Sequence, residues 1–158
     1  MNIAVIAVSP QGITIAEQLK AEWQEQLTIF STHQHSSVES IRNIKEHVDA
    51  QFGDYSAWVF IGAMGICIRT IAEHVQHKYH DPAVINIDST GRFVVSVLSG
   101  HVGGANELTE HIASLLGAQA VVSTQTDNTG LWALDLFSRK YGWAQVNNME
   151  GLNKPIAL

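Results

Sequence analysis

Ile3-Ala4-Val5-Ile6-Ala7-Val8 is an unbroken apolar run that stops at Ser9-Pro10-Gln11-Gly12. Without polar alternation it reads as a strand buried on both faces, and such a strand needs helices above and below its sheet. The chain supplies them. Ile13, Ala16, Leu19 and Trp23 recur at helical spacing directly after the run. Leu27 to Phe30 is a second short strand. Val38, Ile41, Ile44, Val48 and Phe52 predict the apolar stripe of a second helix, with Ser36 or Ser37 as its N-cap. Trp58-Val59-Phe60-Ile61 is a third buried strand, and a third helix runs through Ile68, Ile71 and Val75. Strands that alternate with helices predict an α/β fold: a mostly parallel sheet with helices on both faces, a Rossmann-like three-layer arrangement.

The rhythm changes at His80-Asp81-Pro82, a turn. Ala83 to Ile87 and Phe93 to Leu98 follow as two β-rich runs joined by Asp88-Ser89-Thr90-Gly91. That connection has hairpin length and turn chemistry, so the pair reads as antiparallel. A fourth helix carries Ala105, Leu108, Ile112 and Leu115 on one face, with Gly117 as its C′ residue. Ala120 to Ser123 reads as a strand, Leu131, Leu134, Phe137 and Tyr141 as a last helix. Residues 1–80 are expected to form an N-terminal α/β region, with 81–145 completing the same compact unit. Residues 146–158 are polar and aperiodic, and read as a linker toward a C-terminal domain or as the beginning of a further segment.

Of 158 residues, 46% are apolar and 15% charged, a composition that packs a core. The net charge of −6, with nine scattered Lys and Arg, argues against a nucleic-acid partner. A single cysteine, Cys67, leaves no internal disulfide and suits a reducing compartment. The first residues lack a basic n-region, and no apolar run reaches membrane-spanning length, so the cytoplasm is the expected location.

Ligands on mostly parallel sheets bind outside the carboxyl ends of strands. Three such ends carry suitable residues. Ser99-Gly100-His101-Val102-Gly103-Gly104-Ala105-Asn106-Glu107 places a titratable side chain in a glycine-rich turn that opens a helix. His101 there suits a general base, Glu107 an assisting carboxylate, and the Gly103 and Gly104 N–H groups an oxyanion. The competing reading is a tight connection whose histidine caps or packs. Gly62-Ala63-Met64-Gly65 is a similar device, with Arg69 one turn into its helix as a carboxylate clamp or a solvated surface charge. Ser123-Thr124-Gln125-Thr126-Asp127 is a polar strand exit.

Other groups point to less. The first strand lacks GxGxxG and no Walker motif occurs. His74 and His77 could share a helix face, with His80 beyond them, and His33 and His35 form a second cluster. Neither has a cysteine or placed carboxylate beside it, so solvated histidines and no metal site are expected. Cys67, between Ile66 and Ile68, reads as a buried structural thiol.

Gly65-Ile66-Cys67-Ile68-Arg69, Asp81-Pro82-Ala83-Val84, the long run from Gly91 through Arg92 to Leu108, and Ser123 to Asp127 together resemble the CbiG family of cobalamin (vitamin B12) biosynthesis proteins, across its N-terminal and central regions. The resemblance implies a cobalt-precorrin-5A hydrolase of the anaerobic pathway. That reaction opens the ring A δ-lactone of a cobalt-bearing tetrapyrrole and releases acetaldehyde. It further implies that cobalt arrives with the substrate, so no cofactor is expected. Substrate acetate and propionate groups would give Arg69 and Arg92 their use. On this reading His101 and Glu107 are the catalytic pair, and Gly62, Gly65, Arg69, Arg92, Ser99, Gly100, Gly103, Gly104, Asn106, Thr124 and Asp127 bind substrate. Expected partners are the tetrapyrrole, a further C-terminal domain of the same enzyme and precorrin methyltransferases, with a homodimer compatible. The alternative is a non-catalytic module that holds the tetrapyrrole while chemistry occurs elsewhere.

Overall fold

The computed structural model describes residues 1–124, so the expected helix around Leu131 to Tyr141, the tail 146–158 and Asp127 lie outside the described residues. Residues Met1–Val121 form one compact unit and Val122–Leu158 a second.

The first strand, β1 (Asn2–Ala7), is fully buried from Ile3 onward. Helix α1 (Pro10–Glu22) starts where Ser9 Oγ accepts the Gly12 N–H at 3.2 Å and Pro10 takes the first helical position, which needs no donor. Strand β2 (Gln26–Ser31) follows. Here the expectation of one helix from Val38 to Phe52 is corrected. Glu39–Ser40 form a two-residue strand, β3, parallel to β2, and helix α2 spans only Ile44–Gln51. The Ile41 N–H extends the pairing by donating to Ser31 O at 3.0 Å. The N-cap is Asn43, whose side chain accepts the Glu46 N–H at 3.0 Å, rather than Ser36 or Ser37. A stripe at helical spacing does not reveal where its helix begins when a capping residue sits inside it.

Strand β4 (Ala57–Ile61) leads to α3 (Met64–Ile71), and then come β5 (Ala83–Ile87), β6 (Phe93–Leu98), α4 (Ala105–Leu116) and β7 (Gln119–Val121). The sheet order is β3-β2-β1-β4-β5-β6-β7. Every neighbouring pair is parallel except β5 and β6. Helices α1 and α4 pack on one face, through Ile13, Ala16, Leu19, Leu108 and Ile112. Helices α2 and α3 cover the other, through Val48, Cys67 and Ile71. The three-layer α/β architecture with one antiparallel pair is therefore the architecture of the described residues.

Asp88 makes the reversal between β5 and β6. Its Oδ1 accepts the Arg92 and Phe93 N–H groups at 2.7 Å each, and its Oδ2 accepts the Thr90 N–H at 3.1 Å. Burial alone would raise this carboxyl, but the Thr90, Phe93 and Arg92 donors outweigh it and hold the group below its ordinary pKa.

Candidate functional site

The carboxyl ends of β1, β4 and β5 lie side by side, with Val8 N–H donating to Ile61 O at 3.1 Å and Gly62 N–H to Ile87 O at 2.9 Å. From β1 the chain leaves through α1 toward β2. From β4 it leaves through α3 toward β5, on the opposite side in sheet order and on the opposite face. The gap between loops 8–12 and 62–65 is thus a topological switch point, where open α/β sheets hold ligands. Gly62, Gly65, Arg69 and Arg92 all belong to this carboxyl edge. Ala63 occupies the N-cap of α3 and supplies no side-chain acceptor, and its carbonyl takes the Ile66 N–H at 3.0 Å. The exposed Arg69 guanidinium folds back over Gly65, whose added Cβ would sit 3.3 Å from it. Arg92 is exposed at the hairpin, its guanidinium 5.4 Å from the Phe93 ring centroid.

The turn that follows β6 lies elsewhere. Strand β6 runs against β4 and β5, with Leu98 opposite Val84 and Val94 opposite Ile87. Its carboxyl end therefore sits at the amino edge of the parallel strands. Ser99, Gly100, His101, Gly103, Gly104, Asn106 and Glu107 are gathered there, separated from Arg69 and Arg92 by the length of β6. Six residues of strand span roughly 17 Å. Reading three strand ends as equivalent overlooks that an antiparallel strand ends at the opposite edge.

This turn is knit by its own backbone. Gly104 N–H donates to His101 O at 3.3 Å, Ala105 N–H to Ser99 O at 3.1 Å and Asn106 N–H to Gly100 O at 3.0 Å. The Gly104 N–H thus donates within the turn. Ser99, at φ 59, donates its hydroxyl to Asp81 O at 3.1 Å and so ties the turn to the loop before β5. Buried Asn106 accepts from Ser96 Oγ at 2.7 Å through its Oδ1. His101 is half-buried, and Glu107 is exposed in the first turn of α4. Thr124 lies three residues beyond β7, within the second unit.

Several contacts near these loops were invisible in the sequence. Buried Asn86 donates its Nδ2 to Gly62 O at 3.2 Å and pins the loop into α3. His74 does not share a helix with His77: it ends a short 3-10 turn, where its Nε2 lies 2.6 Å from Asp49 Oδ1 across 25 residues of sequence. Asp49 is held below its ordinary pKa first by its hydrogen bond from Lys45, then by His74. These groups border a cavity of about 290 Å³ lined in part by Asp49, Phe52, His74, His80 and Asp81. Among the described residues no group of three or more His, Cys, Asp or Glu side chains is arranged to hold a metal ion. Cys67 is fully buried, and burial pushes its thiol up to about 12. No helix among the described residues is long and apolar enough to cross a membrane.

Fold and switch point together define a doubly wound α/β domain. The chain belongs to the family described as Cobalamin synthesis G N-terminal, whose profile matches residues 46–127. It is 39% identical over 137 residues to the cobalt-precorrin-5A hydrolase of Salmonella typhimurium, covering 85% of this chain and 38% of that protein. It is 35% identical over 149 residues to the enzyme of the same name from Priestia megaterium, covering 90% of this chain and 40% of the relative. The chain thus spans about two fifths of the length of these curated relatives. A crystal structure of a cobalamin biosynthesis protein G homolog from Sulfolobus solfataricus has the same fold, with a TM-score of 0.62 at 21% identity over 99% of this chain and 45% of that one.

Proposed function

We propose that the chain serves as the N-terminal portion of a cobalt-precorrin-5A hydrolase of cobalamin biosynthesis. It opens the ring A δ-lactone of the cobalt-bearing tetrapyrrole, with release of acetaldehyde. Cobalt travels with the substrate, and the chemistry calls for no further cofactor. The observation that carries this reading is the course of the signature segment Gly91–Leu108. It begins at an exposed arginine on one edge of the sheet, follows β6 across the domain and ends in the histidine turn on the other. A multiply carboxylated substrate needs cationic anchors, and lactone opening by water needs a base beside the ring carbonyl to take the water's proton as its oxygen bonds to the carbonyl carbon and the ring C–O bond breaks. Arg92 and Arg69 provide the first.

His101 is the proposed general base, with Glu107 assisting, and Ser99, Gly100, Gly103 and Asn106 shape the turn around it. Once protonated, His101 is also the donor for the macrocycle carbon in the fragmentation step. Gly62, Gly65, Thr124 and Asp127 complete the proposed substrate contacts. The proposed setting is the cytoplasm. A C-terminal domain of the same enzyme and precorrin methyltransferases are the proposed neighbours, and a homodimer is compatible. The test is an anaerobic assay of the chain with cobalt-precorrin-5A, following lactone opening and acetaldehyde. His101→Ala is expected to lower turnover by about two to four orders of magnitude, as loss of a general base does. Normal turnover by that variant overturns the assignment.

A further inference from the structure

Residues alternate across β6 as far as Ser96, so Val94 enters the core beneath α4 while Phe93 and Val95 face the side that carries α2 and α3; beyond the register shift, Val97 and Leu98 both pack on that side. On β7, Ala120 packs inward with Val94, and the flanking Gln119 and Val121 turn to that same outer side, opposite Phe93 and Val95. Helix α3 reaches β5 but has no comparable packing on β6 or β7. Among the described residues the result is an open apolar sheet face. Phe93 is 45% exposed and Val121 39%, whereas the corresponding faces of β1, β4 and β5 are closed. Met64 and Ile68, at 38% and 44% exposure, add apolar surface from α3 on the same side of the sheet. Exposed apolar side chains clustered this way mark an interaction surface.

Its two ends differ in chemistry. At the carboxyl edge the Arg92 guanidinium lies over the Phe93 ring, and both border a cavity of about 550 Å³ shared with Gly117 and Gln119. At the amino edge the strand runs directly into Ser99, Gly100 and His101. The surface is therefore apolar and cationic at its Arg92 end, and β6 leads from it over roughly 17 Å of strand into the turn that holds His101.

We propose that this β6–β7 face is the seat of the tetrapyrrole: the flat macrocycle lies across Phe93, Val95 and Val121, with peripheral carboxylates at Arg92 and the reacting ring toward His101. The substrate class rests on the hydrolase reading above. The location rests on the exposed face and its charge. A flat ring with acidic arms matches both features, and a neutral apolar partner or a small acid matches only one. The arrangement also gives the separated residues Arg92 and His101 a common ligand, since the same strand joins them.

The experiment uses the full chain, with uroporphyrin as a carboxylated flat tetrapyrrole, its octamethyl ester and succinate as probes. Dissociation constants are read by absorbance titration and backbone protection by hydrogen exchange. Uroporphyrin is expected to bind, to protect β6 and β7 amides, and to lose affinity about tenfold or more on Arg92→Glu, the size of a lost charge-assisted contact. Phe93→Ser is expected to act similarly, and Lys20→Glu, at the end of α1, to change affinity little. The ester and succinate are expected to bind far more weakly than uroporphyrin. Unchanged affinity in both face variants overturns the proposal, as does protection confined to the switch-point loops. Thermal unfolding of each variant separates lost binding from lost folding. If the face variants bind normally while the chain still opens the lactone, the location fails and the hydrolase reading stands. Binding on the face without any turnover gives the reverse.

Discussion

Substituting alanine for Gly103 places a methyl group 2.5 Å from Ser99 Cβ and 2.9 Å from Ser99 O. Neither neighbour can retreat cheaply. Ser99 O already accepts the Ala105 N–H at 3.1 Å, and the Ser99 hydroxyl is tied to Asp81 O. Forced overpacking costs about 1–3 kcal/mol, and losing one backbone hydrogen bond adds about 1 kcal/mol. Gly103→Ala is therefore expected to destabilise the fold by about 2–4 kcal/mol, read as a lowered urea midpoint at unchanged slope. Two further glycines calibrate the number. Gly104 has open space around its Cβ position but stands at φ 84, so its alanine variant carries only the left-handed penalty of about 1–2 kcal/mol. Gly53 has neither a close neighbour nor a positive φ, and Gly53→Ala is expected to be neutral or stabilising by up to about 1 kcal/mol. If Gly103→Ala folds as stably as the parent, the close Ser99 contact is not what holds the turn, and the account of that turn fails.

Three other outcomes follow from particular contacts. Trp58 is fully buried and donates its Nε1 to Phe52 O at 2.9 Å, so Trp58→Phe strands a buried carbonyl and is expected to destabilise by about 1–3 kcal/mol in the same urea experiment. Asp88 has its native pKa below the unfolded value. Its contribution is thus complete at neutral pH and is lost as pH falls from about 4 through the depressed native value, a loss that Asp88→Asn should abolish in acid titrations of stability. Native Cys67 is expected to resist a thiol reagent at pH 8 and to react promptly once the chain is unfolded in urea; prompt labelling of the folded chain would refute its burial.

Most of the fold was legible because each strand carries its own signature. The unbroken apolar runs of β1 and β4 announced a sheet covered on both sides, and Asp88 to Gly91 announced the single antiparallel pair. The stretch from Val38 to Phe52 failed for a local reason. Val38, Ile41 and Ile44 all pack apolar side chains against the core, but Val38 does so from a turn closed by its N–H on His35 O, Ile41 from the residue after β3, and Asn43 starts the helix. The relative placement of the candidate residues was not legible. Arg69 lies in α3 and Arg92 at the start of β6, and the direction of β6 carries His101 to the far edge. The Asn86 grip on Gly62, the Ser96–Asn106 pair and the Asp49–His74 contact join residues 10 to 25 apart in sequence, and no local pattern signals them.

The central claim is that the signature strand is the track along which the substrate lies. Hydrogen exchange of the full chain with and without cobalt-precorrin-5A, under anaerobic conditions, tests it most directly. The account predicts slowed exchange along β6 and β7 and in the Ser99–Asn106 turn together, in one saturable transition. Protection restricted to residues 9–12 and 62–66, with the turn and β6 unchanged, would contradict it.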